Sequence, residues 1–92
     1  MSGRVSRSAE IVNQRGLHAR ASAAFAREAA KYDARIIVRH DDMTASAASI
    51  MDLMMLAASK GCIIEIEAEG AQAEIAVGAL GDLVARRFDE EN

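Results

Sequence analysis

Gly16-Leu17-His18-Ala19-Arg20 places an imidazole and a guanidinium two residues apart, between a glycine turn and the alanine-rich run Ala21-Ser22-Ala23-Ala24-Phe25. At a helix start the first backbone N–H groups lack intrahelical partners and the dipole end is positive, a setting that favours an anion. A neutral imidazole nitrogen held there is a nucleophile, and the same N–H groups can then face the oxygens of a phosphoryl group it has accepted. Arg20 would add directed, charge-assisted hydrogen bonds to those oxygens, a role lysine fills only as a point charge. His18 is therefore read as a candidate phosphoryl acceptor and Arg20 as its stabiliser. The plainer reading is a surface capping histidine beside a solvated arginine.

Ser49 opens a short apolar segment and has Asp52 three residues later, so a helix N-cap alone accounts for it. Ile50, Leu53 and Leu56 supply one inner face for that helix, which leaves Met51, Met54 and Met55 in excess. Methionines on an exposed helix face suit an adaptable docking patch, while methionines filling gaps in a core are the alternative. His40 is expected to be an exposed residue at a strand end, and Cys62 a half-buried small hydrophobe. Neither stands at metal-ligand spacing with His18, so no metal site and no cofactor are expected. The chain shows no glycine-rich phosphate loop and no Ser/His/Asp arrangement.

These residues need elements to position them. Val5 to Val12 fits a first strand, and Asn13-Gln14-Arg15-Gly16 a loop. Ser22, Phe25, Ala26 and Ala29 recur at helical spacing and predict a helix over about 19–31. Residues 34–40 and 43–46 fit two strands joined at Asp41-Asp42, and the Ser49 helix closes near Lys60-Gly61. Residues 62–69 alternate Ile64, Ile66 and Ala68 with Glu65, Glu67 and Glu69, as a strand with one packed face does. Ala76, Val77, Leu80, Leu83 and Val84 mark the inner face of a last helix over about 71–88, despite Gly78 and Gly81. The predicted order is βαββαβα. Its economical packing is an α+β open-faced sandwich, a four-stranded antiparallel sheet with three helices on one face.

With 92 residues, 51% of them apolar and no proline, residues 1–92 are expected to form a single domain with an aliphatic core. The one cysteine excludes an internal disulfide, and the N-terminus lacks the apolar stretch of a signal peptide, so a cytoplasmic location is expected. Charged residues interrupt every candidate membrane span. Residues 1–40 carry eight Lys/Arg against three Asp/Glu, while residues 41–92 carry three against eleven; +5 and −8 make the net −3. The basic half holds His18 and could steer an anionic partner, whereas the acidic strand face and the Asp89-Glu90-Glu91 run read as solvated. With three aromatic residues and this balance, nucleic-acid binding is not expected.

Taken together, the GLHAR string, Ser49-Ile50 opening a short second helix, and Ile66-Glu67-Ala68-Glu69-Gly70 closing the last strand resemble HPr, the phosphocarrier family of the phosphoenolpyruvate-dependent phosphotransferase system. The resemblance runs along nearly the whole chain. It implies a monomeric relay component rather than an independent enzyme, phosphorylated by Enzyme I on Nδ1 of His18 and discharged to Enzyme IIA-type acceptors. It further implies a regulatory phosphorylation at Ser49 by the HPr kinase/phosphorylase, and partner docking through Ala23, Arg27, Ile50, Met51, Met54 and Met55. The chain departs from the family in having Ala21 where proline is usual, and Ala48 and Asp52 where lysines are common. A carrier of the nitrogen-related regulatory branch, or a protein-binding module whose histidine is never phosphorylated, are the alternative functions.

Overall fold

The most regular alternation in the sequence forms the hub of the sheet. In the computed structural model, which describes residues 4–90, β1 (Val5–Glu10) pairs antiparallel with β4 (Ile63–Glu69). The other edge of β4 pairs with β2 (Arg35–His40), which pairs in turn with β3 (Met43–Ser46), giving the order β1-β4-β2-β3. Register places Ile36 opposite Ala68 and Val38 opposite Ile66, so the buried side chains of both central strands share one face. Helices α1 (Ala19–Ala29), α2 (Ile50–Met55) and α3 (Ala73–Ala85) cover that face and contribute Phe25, Leu53, Leu80 and Val84 to the core. This is the expected α+β open-faced sandwich.

Several boundaries are tighter than periodicity predicts. The first strand stops at Glu10 rather than Val12, because Ile11 instead closes onto the turn before β4: its N–H donates to the Cys62 carbonyl and its own carbonyl accepts from Gly61. Helix α1 ends at Ala29, where Lys31 and Tyr32 tighten into i→i+3 bonds to the Glu28 and Ala29 carbonyls. Helix α2 ends at Met55 and not near Lys60, since Ala57 turns left-handed with φ 52°. Ile50, expected on the inner face of α2, is exposed; Leu53 and Leu56 alone supply that face. The last helix ends at Ala85. Arg87, Phe88 and Asp89 follow with φ of 61°, 54° and 64°, a left-handed turn that folds Phe88 back into the core.

Of the two glycines of α3, Gly81 is explained by a neighbour, while at Gly78 a Cβ would meet nothing within 4 Å. The Arg7 guanidinium lies over Gly81, where a Cβ would stand 2.4 Å from Cζ, and donates to the Gly78 carbonyl at 3.1 Å. On the open face of the sheet Glu67 is not fully solvated as expected: its side chain is largely covered and pairs with Arg39 at 3.0 Å. Among the described residues no helix is long and apolar enough to cross a membrane.

Candidate functional site

The loop before α1 is built around a glycine that no other residue could replace without displacement. Gly16 adopts φ +63°, and a Cβ there would lie 2.4 Å from the Ala58 carbonyl oxygen. The next N–H, that of Leu17, donates to the same Ala58 carbonyl at 2.9 Å, which ties this loop to the segment leaving α2. Leu17 is buried, and the buried Ser22 hydroxyl donates to the Leu17 carbonyl at 3.1 Å. Together these contacts fix the backbone from which His18 projects.

His18 is the N-cap of α1. Its carbonyl accepts the first helical bond, from the Ser22 N–H at 2.8 Å, and its Nδ1 accepts from the Arg20 N–H at 3.3 Å. Thus one ring nitrogen already sits among the unpaired N–H groups of the helix start, as the sequence predicts. The helix begins at Ala19 without the proline that the family resemblance leads one to expect; Ala21 is buried and retains its N–H. The Arg20 side chain is exposed and its guanidinium makes no hydrogen bond among the described residues.

The other ring nitrogen has a partner that the sequence reading did not foresee. His18 Nε2 lies 2.5 Å from Oε2 of Glu90, with side chains only 22% and 18% exposed respectively. Glu90 Oε1 accepts at 3.0 Å from the amide of Asn13, a completely buried residue whose Nδ2 also donates to the Gly16 carbonyl. Glu90 is thus not part of a solvated acidic run, contrary to the expectation from its charged neighbours; Glu91 lies outside the described residues. No local signal marks either residue, because Asn13 reads as a loop residue and Glu90 stands 72 residues from His18.

Ser49 caps α2, its Oγ accepting from the Asp52 N–H at 3.1 Å. Met51 and Met55 are 71% and 64% exposed, and Ile50 and Met54 lie on the surface with them. On α1, which packs against α2, Arg27 is exposed and Ala23 half-buried. His40 is not the exposed residue expected: its side chain is mostly covered, and Nδ1 donates to the Leu56 carbonyl at 2.9 Å. That bond, then desolvation opposing it, then contacts with Cys62 and Asp41, leave the His40 pKa raised. Cys62 is half-buried, and hydrogen bonding to Ser59 leads the causes that lower its pKa.

A histidine caps the first helix of a βαββαβα sandwich with one ring nitrogen turned to the helix N-terminus, an arrangement that suits a small phosphoryl-relay domain. Residues 5–86 match the family model described as the PTS HPr component phosphorylation site. Phosphocarrier protein HPr of Neisseria meningitidis is 46% identical over 83 residues, which cover 90% of this chain and 93% of that one. Phosphocarrier protein NPr of Shewanella violacea is 38% identical, covering 95% of this chain and 96% of its own. Among solved structures, HPr-C-His from Thermoanaerobacter tengcongensis superposes with a TM-score of 0.90 at 40% identity, covering 96% of this chain and 99% of that one. The chain belongs to the HPr family of phosphotransferase-system phosphocarriers.

Proposed function

We propose that this chain accepts a phosphoryl group on Nδ1 of His18 from phosphorylated Enzyme I and passes it to Enzyme IIA-type acceptors, acting as a monomer in the cytoplasm. The observation that carries the reading is the division of labour on the imidazole: Nδ1 accepts a backbone N–H at the helix start while Nε2 faces a carboxylate. A carboxylate offers only acceptors, so Nε2 carries the ring proton and Nδ1 keeps the lone pair that attacks phosphorus. The N–H groups of Ala19, Arg20 and Ala21 then have phosphoryl oxygens to bond. The exposed guanidinium of Arg20 reaches the same oxygens during transfer, and its loss slows transfer more than it weakens partner binding. Ala23, Arg27, Ile50, Met51, Met54 and Met55 form the docking face beside the histidine.

Incubation with Enzyme I and radiolabelled phosphoenolpyruvate should give an acid-labile, alkali-stable label. Label absent from the wild type, or fully present on His18→Ala, would sink the assignment.

Ser49 is proposed as a regulatory phosphorylation site for the HPr kinase/phosphorylase. A phosphate there meets the start of α2, yet Asp52 repels it and arriving partners meet a new negative charge. Kinase and ATP should place acid-stable phosphate on the wild type and none on Ser49→Ala; label persisting in the variant refutes the site.

A second reading, a carrier of the nitrogen-related branch, is favoured by the likeness to the Shewanella NPr across nearly the whole chain. Offering the phosphorylated protein sugar-branch and nitrogen-branch acceptors side by side, and comparing their rates of labelling, separates the two.

A further inference from the structure

Glu90 stands beyond residues 5–86, the span matched by the family model, yet it makes the most intimate side-chain contact in the site. Its placement is built in. Three successive left-handed residues, Arg87 to Asp89, reverse the chain after α3, and the turn is anchored by buried Phe88 and by the Arg86–Asp89 bond at 3.0 Å. Left-handed backbone costs about 1–2 kcal/mol for each residue with a Cβ, so the turn persists only because such contacts hold it. Asn13 then fixes the carboxylate from the other side. The amide must point its nitrogen at both the Gly16 carbonyl and Glu90 Oε1, because its oxygen would face two acceptors.

From this geometry, and resting on the phosphocarrier reading above, we propose that Glu90 is a positioning residue that keeps the proton on Nε2 of His18 in both the free and the phosphorylated protein. In the forward step the Nδ1 lone pair bonds to phosphorus, and the bond from phosphorus to the donor breaks with its electron pair leaving on the donor. The ring, still protonated at Nε2, becomes cationic, and the Glu90 carboxylate balances it on the edge away from the phosphoryl group. In discharge the acceptor bonds to phosphorus and the N–P electron pair returns to Nδ1. The ring is neutral again with the same proton in place, so no proton exchanges with solvent during the cycle. A cationic ring is the better leaving group, which makes Glu90 a determinant of how readily the phosphoryl group moves on.

The test uses the full chain with ¹⁵N-labelled histidine, comparing wild type with Glu90→Gln, which keeps an acceptor oxygen without the charge, and Glu90→Ala. In the free wild type the His18 ring should show a proton on Nε2, shifted downfield and slow to exchange, with Nδ1 unprotonated; Glu90→Ala should lose that slow-exchanging signal. After phosphorylation, Glu90→Gln should shed its phosphoryl group about tenfold more slowly than wild type near pH 8. The two should converge near pH 4, where solvent supplies the proton, a pattern that a merely structural role would not produce. A proton found on Nδ1, a signal unchanged in Glu90→Ala, or equal loss rates at both pH values would overturn the proposal. If the wild type takes up no phosphoryl group the carrier reading falls, and the spectrum of the free protein still decides whether Glu90 holds the proton.

Discussion

At the scale of single residues, the site depends as much on what is absent as on what reacts. Gly16 lets the loop pass against the Ala58 carbonyl, and that approach sets the angle from which His18 enters α1. Gly16→Ala adds about 1–2 kcal/mol of left-handed strain before the collision of its Cβ with backbone is counted. Urea unfolding should therefore show a loss exceeding about 2 kcal/mol, with slower phosphoryl uptake as His18 shifts; an unchanged midpoint would mean that the Gly16 and Ala58 segments separate freely. His18 was legible as a residue at the start of α1 from its place after Gly16. Asn13 and Glu90 were not, because polar residues in a loop and in an acidic run look solvated until the chain closes around them.

At the scale of elements, α2 is the short helix, six residues long, and relies on its ends. Ser49 and Asp52 were readable as a cap because an N-cap is a local device, closed within three residues. The C-terminal end of α2 is another matter. Ala57 occupies the left-handed position after the helix where glycine is usual, and its N–H donates to the Met54 carbonyl at 3.1 Å. Ala57→Gly removes the Cβ penalty and should stabilise the protein by about 1 kcal/mol, read as a higher denaturation midpoint with an unchanged slope. A lower midpoint would show that the unfolded chain's added freedom outweighs the relief.

At the scale of the whole molecule, His40 links the end of β2 to the end of α2 through the Leu56 carbonyl, so its titration reports on the assembled fold. Its pKa is raised above the ordinary 6.5, chiefly by that hydrogen bond. A raised histidine contributes stability that is complete below about 6.5 and is lost as the pH climbs through the higher folded value. Cys62, lowered from its ordinary 9.0, adds a slope of opposite sign at higher pH, so the comparison belongs in a Cys62→Ala background. There, stability should fall across the window just above pH 6.5, and His40→Gln should flatten that fall. An equal fall in both proteins would assign it to other groups.

Period and punctuation in the sequence were enough for the order of elements, the buried face of β4, the caps of α1 and α2, and His18 as the reactive candidate, because each arises from neighbours within a few residues. Tertiary structure alone decided where α3 stops, why Gly81 faces Arg7, that His40 is covered, and that Asn13 and Glu90 close around His18. Those outcomes depend on contacts between residues far apart in the chain, such as the 77 that separate Asn13 from Glu90. Local pattern does not encode such contacts, since they form only once the sheet and helices bring distant side chains within hydrogen-bonding reach.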